Sequence, residues 1–300
     1  MDGESARAAA GGESDATVTR TTTLTAGDGR GGRHEVDVVY DVAGDPDAPP
    51  AVLVHGCGLD AASVSYRYLL PELATDRRVY APDLPGHGRS GKPSVRYTTD
   101  YFEGVLDAFC DSLGLESPAL VGVSMGGAVA LGHALEREVD RLVLVDSYGL
   151  GGDAAWRPAA SVGLRVPALH RAWWSSFAAT EASVRAHLRT LTGGAPSPEL
   201  VADVHGVVGD PAVGRTVRSW QRSEFRATGL ATDHSTRLTD LAVPTLLIHG
   251  KRDPLLPASW AERAAERLPR GESILYDGVG HWAPREVPER FAADVAAFLN

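Results

Sequence analysis

The sequence predicts an α/β fold in which a mostly parallel, doubly wound sheet carries a helical cap. Short apolar runs recur along the chain, and segments with the apolar period of a helix separate them. This alternation is typical of a parallel sheet with helices on both faces. One interval, residues 151–236, contains no strand-like run. It is too long for a loop within a compact domain, so we expect a helical insertion there.

The first predicted elements are a disordered tail and a hairpin. Residues 1–16 are small, polar and rich in glycine, which is typical of disorder. The alternating apolar residues of 17–44 predict two antiparallel strands with one face in water. Further strands are predicted at 51–56, 77–84, 118–124, 140–147, 244–250 and 272–281. The core is therefore assigned to residues 17–150 and 237–300, and the cap to residues 151–236.

Helical patterns separate these strands. Residues 99–114 place apolar side chains along one helix face, and residues 288–299 repeat that pattern. Residues 257–268 also have a helical period. Within them, Ser259 and Glu262 have the spacing of a capping box, which predicts a helix N-terminus at this point.

The charge balance argues against nucleic acid as a partner. The 300 residues carry 29 Lys and Arg against 39 Asp and Glu, a net charge of −10, whereas phosphate binding needs clustered basic residues. Lys92 and Lys251 are the only lysines. An acidic, lysine-poor surface fits a protein from a high-salt cytoplasm, and GC-rich codon bias explains the same composition. Both explanations stay open.

The sequence predicts a cytoplasmic protein without a membrane partner. Its N-terminal residues lack the basic start and apolar stretch of a signal peptide, and no apolar run approaches the roughly 20 residues that span a bilayer. The two cysteines suggest neither a disulfide framework nor a zinc site. Cys110 lies beside the apolar stripe of a predicted helix and is expected to be an inert core residue.

The segment GVSMG, residues 122–126, is a G-x-S-x-G pattern with a predicted strand before it and a predicted helix after it. Gly122 and Gly126 leave room for a sharp turn that presents the hydroxyl of Ser124 outward. A serine hydroxyl in this position is a candidate nucleophile, provided that a base removes its proton. A turn that is merely rich in glycine is the alternative interpretation.

Among the ten histidines, His281 is the predicted base, because it lies on a loop between the last strand and the last helix. Asp253 follows a strand and precedes His281 by about 30 residues, so it is the predicted orienting carboxylate. Asp146, which closes another strand, is the second candidate. Attack on a carbonyl also needs donors for the developing oxyanion, and the backbone N–H groups of Met125 and Cys57 are predicted to supply them.

Five segments in order resemble the α/β-hydrolase superfamily, specifically its branch with a helical lid. They are HGCG, DLPGHGRS, GVSMGG, GKRDPLLP and GHWAPREVPERF, and the resemblance covers about residues 35–300. It implies the fold, a serine mechanism that uses no cofactor or metal, and Ser124, Asp253 and His281 as the triad. Relatives with an aspartate nucleophile are set aside, because position 124 is serine.

The stretches GVSMGGAVAL, SYGLGG and GHWAPRE are similar to hydrolases that cleave carbon–carbon bonds in ring-fission products of aromatic degradation. Those enzymes have a tryptophan after the catalytic histidine and an arginine near the lid. Trp282 is the corresponding tryptophan here. Arg222 or Arg226 is the candidate for binding a substrate carboxylate. Two features depart from that group: Val123 stands where it has asparagine, and the oxyanion loop reads HGCGLDA. Packing in the pocket wall is an alternative role for Trp282.

The predicted cap holds four of the six tryptophans, at positions 156, 173, 174 and 220. Trp173 and Trp174 are the predicted substrate contacts, in an apolar pocket for a small or medium acyl group. Packing within the cap explains these tryptophans equally well.

Three functions are weighed on these observations, each with a small-molecule ligand. Hydrolysis of a carboxylic ester, lactone or thioester through an acyl-enzyme is ranked first. Cleavage of a carbon–carbon bond in a ring-fission dienoate ketone is the alternative. A ligand-binding protein of the same fold without turnover is the third, and the presence of all three triad residue types argues against it.

Overall fold

The computed structural model describes residues 17–27, 32–154, 164, 166–226 and 229–300. The predicted tail, residues 1–16, and Trp156 of the predicted cap lie outside the described residues. Eight strands form one sheet in the described part of the chain. They are β1 (Val18–Gly27), β2 (Arg33–Ala43), β3 (Pro50–Val54), β4 (Arg78–Pro82), β5 (Ala119–Val123), β6 (Leu142–Val145), β7 (Thr245–Gly250) and β8 (Gly271–Tyr276).

The sheet has the order β1-β2-β4-β3-β5-β6-β7-β8. Strands β1 and β2 pair antiparallel, as do β2 and β4, and every other pair is parallel. The mostly parallel sheet and the antiparallel hairpin are therefore confirmed. Val123 pairs with Val145, and Val145 pairs with Ile248. Strands β5, β6 and β7 thus end side by side, so that the residues after these positions meet at one edge of the sheet.

The described helices before the predicted cap are α1 (Ala62–Ser65), α2 (Leu69–Leu73), α3 (Thr99–Leu113) and α4 (Met125–Glu136). Helix α3 begins where the Thr98 side chain accepts a hydrogen bond from the Tyr101 amide, and it ends at Gly114, whose φ is 65°. Both ends are therefore fixed by local chemistry: a side-chain cap satisfies a free N–H group, and glycine adopts the left-handed conformation easily.

Four described α-helices lie between β6 and β7: α5 (Pro167–Phe177), α6 (Glu181–Leu188), α7 (Pro198–Val208) and α8 (Pro211–Glu224). A short 3-10 helix, Leu238–Asp240, follows them. Helix α8 is joined to the start of α3, where the Trp220 indole N–H donates to Thr99 Oγ1 at 3.2 Å. Helix α7 is joined to the core through an ion pair of 2.9 Å between Arg285 and Asp203. The described part of residues 151–236 is thus mainly helical, and its division from the core as a cap stays a prediction.

After β7 the chain forms α9 (Ser259–Arg267), β8, α10 (Ala283–Glu286) and α11 (Pro288–Leu299). The predicted capping box is wrong. Ser259 is the first residue of α9 rather than its N-cap, and its hydroxyl accepts a hydrogen bond from the Arg263 guanidinium instead. Among the described residues, no helix is both long and apolar enough to cross a membrane.

The hydrophobic core lies on both faces of the sheet. Val52 and Val54 of β3 pack in one buried cluster with Phe102 of α3, whereas Leu53 packs in the other with Phe291 of α11. Successive side chains of a strand point to opposite faces, so this partition is expected of a strand covered on both sides. The doubly wound arrangement is confirmed.

Candidate active site

Ser124 occupies a sharp turn between β5 and α4. Its φ of 52° lies in a region that residues other than glycine rarely adopt. A Cβ atom at Gly122 would lie 2.3 Å from the Gly126 carbonyl oxygen, and one at Gly126 would lie 2.1 Å from the Val54 carbonyl oxygen. Neither position has room for a side chain, because the turn packs directly against its own helix and the neighbouring strand. The two glycines therefore allow the turn that presents the Ser124 hydroxyl.

Three side chains from distant segments meet at this turn. His281 Nε2 lies 3.0 Å from Ser124 Oγ, and His281 Nδ1 lies 2.6 Å from Asp253 Oδ2. The Asp253 Oδ1 atom accepts hydrogen bonds from the amides of Leu255 and Leu256 at 2.7 and 3.0 Å. The carboxylate is thus held on one side by backbone, and its other oxygen faces the imidazole. This arrangement can move a proton from the hydroxyl to His281.

Asp146, the second candidate carboxylate, has a different set of partners. Its Oδ1 accepts from the Gly250 amide at 2.8 Å, and its Oδ2 accepts from the Ala283 amide at 3.2 Å. The side chain is completely buried, and it joins the end of β7 to the start of α10. The carboxylate within hydrogen-bonding distance of His281 is therefore Asp253, while Asp146 holds together the segments on either side of it.

The buried charges set the protonation of the site. Burial by itself would raise the pKa of Asp253, but the charge of His281 and the hydrogen bonds from His249 and His281 hold that pKa well below its usual range. Burial by itself would lower the pKa of His281, but the Asp253 carboxylate raises it to about 9, with smaller contributions from Asp146 and Glu286. Asp253 is therefore ionised, and it stabilises a protonated His281.

The loop at residues 55–60 is organised by the buried carboxylate of Asp60. Its Oδ2 accepts from the Gly56 amide at 2.7 Å and from the Ser65 hydroxyl at 2.7 Å, and its Oδ1 accepts from the Ala61 amide at 2.8 Å. These bonds fix the backbone on both sides of Cys57, which lies with Ser124 on the wall of one cavity. Burial raises the pKa of the Cys57 thiol, and the Asp60 charge adds to this effect, so the thiol stays protonated.

Met125 is the first residue of α4. The N–H groups in the first turn of a helix have no partner within the helix, and they point away from its N-terminus. The amide of Met125 therefore lies next to the Ser124 hydroxyl and is suited to donate to an oxyanion there.

A cavity of about 570 Å³ opens above Ser124, between the sheet edge and the helices that follow β6. Its wall is mostly apolar and aromatic. It includes Leu59, Tyr148, Leu169, His170, Trp173, Trp174, His187, Trp220 and Phe225. Burial lowers the pKa of both His170 and His187, so they are neutral near pH 7. Within the described part of the chain, no Lys or Arg lines this cavity.

The predicted substrate contacts are only partly brought to the cavity. Trp173 and Trp174 line it. Arg222 and Arg226 are exposed and lie outside its wall, where Gln221 takes the place expected of Arg222. Trp282 is buried, and its indole N–H donates to the Ser65 hydroxyl at 2.8 Å. It does not line the large cavity, so its position agrees with the alternative role of packing. The expectation that Arg222 or Arg226 contacts the substrate is therefore not met at this cavity.

The described residues include one cluster with the side-chain types of a metal site, Asp146, His249 and Asp253, whose candidate atoms lie within 4.8 Å of one another. Both oxygens of each carboxylate already accept protein hydrogen bonds, and His249 Nε2 faces Asp253 and the Leu256 carbonyl. A cation would have to displace these bonds. The cluster therefore does not fit a metal ion, and the residues serve one another as hydrogen-bond partners.

Sequence reasoning missed several residues of this site. Asp60 and Tyr148 follow predicted strands, which is the signal that identifies residues at this edge. His249 is the second-to-last residue of β7. Its position near the end of a strand could be seen in the sequence, but its contact with Asp253 could not. His170 and His187 lie on helices whose inward faces the apolar pattern alone does not identify.

Comparisons with known proteins give a consistent result. Residues 51–294 match the family model described as "Alpha/beta hydrolase family". A 2-hydroxymuconate semialdehyde hydrolase from Pseudomonas sp. (strain CF600) is 30% identical over 270 residues, which cover 83% of this chain and 86% of the relative. A 2-hydroxy-6-oxo-6-(2'-aminophenyl)hexa-2,4-dienoic acid hydrolase from Metapseudomonas resinovorans is 30% identical, and 84% of each chain is covered.

Solved structures agree with these relatives. A meta-cleavage product hydrolase from Pseudomonas fluorescens IP01 superposes with a TM-score of 0.73 at 25% identity, covering 93% of this chain and 97% of the other. A putative aryl esterase from Burkholderia cenocepacia superposes with a TM-score of 0.71 at 27% identity, covering 93% of this chain and 98% of the other.

Proposed function

This chain belongs to the alpha/beta hydrolase family, and we propose that it is a serine hydrolase with Ser124 as nucleophile, His281 as base and Asp253 as the orienting carboxylate. The observation that carries the proposal is the continuous contact from Ser124 Oγ to His281 Nε2 at 3.0 Å and from His281 Nδ1 to Asp253 at 2.6 Å. The strained backbone of Ser124 and the adjoining apolar cavity support it.

The reaction follows from these contacts. Ser124 Oγ attacks the substrate carbonyl carbon while its proton passes to His281 Nε2, and Asp253 stabilises the resulting imidazolium. The carbonyl electron pair moves to oxygen, and the amides of Met125 and Cys57 are the proposed donors to it. His281 then returns the proton to the departing group, which leaves an acyl group on Ser124. Water, deprotonated by His281, releases the acid product and restores the hydroxyl.

The comparisons favour a carbon–carbon bond as the target over the ester that the sequence predicted first. Two relatives of 30% identity are named for a semialdehyde and for a 6-oxo-dienoic acid. Neither name includes an ester. Hydrolysis at the aldehyde or ketone carbonyl that these names give would break the bond between that carbonyl carbon and a neighbouring carbon. A dienoate leaving group suits this step, because conjugation delocalises the electron pair until His281 supplies a proton.

Ester hydrolysis is the second candidate, and the wall of the cavity favours it. A dienoate carries a carboxylate, and a buried carboxylate needs a cationic or multiply hydrogen-bonding partner. Among the described wall residues no arginine or lysine offers this charge, and both histidines are neutral. An uncharged aryl or alkyl ester fits this lining, and the similar putative aryl esterase supports the same substrate class.

The first experiment tests the nucleophile. A fluorophosphonate probe should label the protein at Ser124, as located by peptide mass spectrometry, and Ser124→Ala should abolish both labelling and turnover. Ser112→Ala, which changes an exposed serine on α3, is the matched control and should behave as the native chain does. Labelling that persists in Ser124→Ala would contradict the mechanism, and an unlabelled native chain would favour a ligand-binding protein.

The second experiment separates the substrate classes. The purified chain is given a 6-oxo-dienoate and a matched panel of uncharged aryl and alkyl esters, and kcat/KM is compared. Preference for the dienoate by tenfold or more, about 1.4 kcal/mol, supports carbon–carbon cleavage. The reverse preference establishes the ester assignment.

A further inference from the structure

One carboxylate oxygen of Asp253 lies within hydrogen-bonding distance of two histidine rings. The Oδ2 atom lies 2.6 Å from His281 Nδ1 and 3.1 Å from His249 Nε2. The Oδ1 atom is occupied by the amides of Leu255 and Leu256. All four bonds point at an acceptor that carries a single negative charge. The charge that stabilises a protonated His281 is therefore shared with a histidine outside the proposed triad.

The proton of His249 is fixed by its surroundings. Its Nε2 atom faces Asp253 Oδ2 and the Leu256 carbonyl oxygen, each at 3.1 Å, and both partners only accept hydrogen bonds. Nε2 must therefore carry hydrogen in every protonation state. The ring is completely buried at the end of β7, and its Nδ1 atom has no hydrogen-bond partner among the described residues. A rigid strand thus aims a permanent donor at the triad carboxylate.

We propose that His249 is a positioning residue for the triad. Its N–H group holds Asp253 Oδ2 in place and weakens the attraction of that oxygen for the proton on His281 Nδ1. This inference rests on the proposed roles of Asp253 and His281. A second donor on Oδ2 stabilises the ionised carboxylate and lowers its affinity for a proton, so this oxygen holds the proton of His281 less strongly. His249 therefore keeps the base able to release its proton, while it prevents the carboxylate from rotating away.

The other charged groups around His281 act in the opposite direction. Asp146 approaches from β6, Asp253 from the loop after β7, and Glu286 from α10, where it accepts from the Gly280 and Trp282 amides on either side of His281. All three carboxylates favour the imidazolium. His249 donates to the same Asp253 oxygen that His281 contacts, and it is the neighbour that we expect to oppose the imidazolium. Asp253 and Asp146 raise the pKa of His249 itself, against the lowering effect of burial.

The consequence concerns the pH at which the base works. His281 must be neutral to accept the Ser124 proton, so the reaction rate rises as pH increases through the His281 pKa, which is about 9 in the native chain. Removing the competing donor leaves more of the Asp253 charge to His281. The pKa of His281 then rises further, and the acid limb of the rate profile moves to higher pH.

The test is a titration of the His281 ring nitrogens by NMR in the 300-residue protein. His249→Phe keeps the ring but removes both nitrogens, and we expect the His281 pKa to rise by roughly one unit. His249→Gln keeps an N–H donor, so it should raise the His281 pKa by less than half as much as His249→Phe does. His205→Phe, on α7 and outside the wall of the cavity, is the matched control and should leave it unchanged. His249→Asn, which is polar but too short to reach Asp253, replaces the Phe variant if that variant does not fold.

The fluorophosphonate labelling rate of Ser124, measured against pH, gives a second readout that needs no substrate. Its acid limb should move upward in His249→Phe while the plateau at high pH is retained. A rate that falls at every pH without movement of the limb, together with an unchanged His281 titration, would overturn the proposal and leave a packing role only. If the native chain is not labelled at all, the proposed function fails, whereas the NMR titration still decides whether His249 competes for Asp253.

Discussion

The two halves of the candidate site are built in different ways. Its polar half lies at the sheet edge, where Ser124, Asp146 and His249 follow one another across three neighbouring strands and backbone amides hold the carboxylates. Its apolar half is the wall formed by helices α5, α6 and α8, where aromatic rings contact one another. The polar half is specified by the end of each strand, and the apolar half by packing between helices.

This difference determines what a substitution does. A group at the sheet edge has one or two partners at fixed distances, so its loss changes the chemistry. A ring in the helical wall contacts several others, so its loss leaves a cavity and changes stability or the shape of the pocket. The variants below test this contrast, and the largest expected effect comes first.

Asp253→Asn and Asp146→Asn compare two buried carboxylates at the same edge. Asp253→Asn should lower kcat by about 10⁴-fold, because an amide in this position favours the wrong tautomer of His281. Asp146→Asn keeps one acceptor oxygen for Gly250 or Ala283 and loses the other, at a cost of about 1–3 kcal/mol in the free energy of unfolding. Its kcat should fall by no more than about 100-fold, through displacement of the loops.

Steady-state kinetics and urea denaturation of both variants separate these effects. The contrast requires that activity falls more in Asp253→Asn and stability falls more in Asp146→Asn. If Asp146→Asn instead caused the larger loss of activity with unchanged stability, Asp146 would be the catalytic carboxylate and the assignment of Asp253 would be wrong.

Trp174→Ala and Trp173→Ala compare two adjacent rings of the helical wall. Trp174 is 6% exposed, donates to the Val208 carbonyl, and packs so closely on Gly214 that a Cβ there would lie 2.7 Å from its ring. Its removal should cost about 3–5 kcal/mol in the free energy of unfolding. Trp173 is 44% exposed, so Trp173→Ala should cost less and act chiefly on KM for bulky substrates, because it widens the cavity.

Urea denaturation and KM values for a short and a bulky ester measure both outcomes. Equal losses of stability in the two variants would show that Trp173 is as much a packing residue as Trp174, and that it does not define the width of the cavity.

The sequence predicts the polar half of the site well, because the end of each strand specifies that half. The proposed nucleophile between two glycines, an aspartate after a strand and a histidine before the last helix are all positioned by the local backbone, and parallel pairing brings strand ends together. The shared contact of His249 and His281 with Asp253 is a matter of side-chain orientation at that edge, which residue spacing does not fix. The positions of these residues along the chain identify the sheet edge, whereas the hydrogen-bond partners of Asp253 are seen only in the structure.

The helical wall is predicted less well, and Arg222 shows why. Successive residues of a helix are rotated by roughly 100° about its axis, so an error of one position moves a side chain from the cavity to the surface. Gln221 lines the cavity, and Arg222 points away from it. The face that a helix turns inward depends on what it packs against, and the apolar pattern of α8 alone does not distinguish these two neighbours.

Arg222→Ala should therefore have the smallest effect of all, a change in kcat/KM of less than about twofold. Arg222 is exposed on α8, and its charge lies near Arg218, where it adds to the lowering of the Arg218 pKa by burial. Removing it relieves this repulsion, and Arg222 is not itself part of the cavity wall. Gln221→Ala is the matched comparison on the same helix turn and should change KM, since this side chain lines the cavity.

Both variants are assayed with the dienoate and with an uncharged ester. A rise in KM in Arg222→Ala that is confined to the dienoate would show that α8 turns on binding a carboxylate and brings the arginine inward. Such a result would restore the contact that the sequence predicted and would strengthen the case for carbon–carbon cleavage. If Arg222→Ala has the same kinetic constants as the native chain on both substrates, Arg222 does not bind the substrate. The polar groups that act on the substrate would then all lie at the sheet edge.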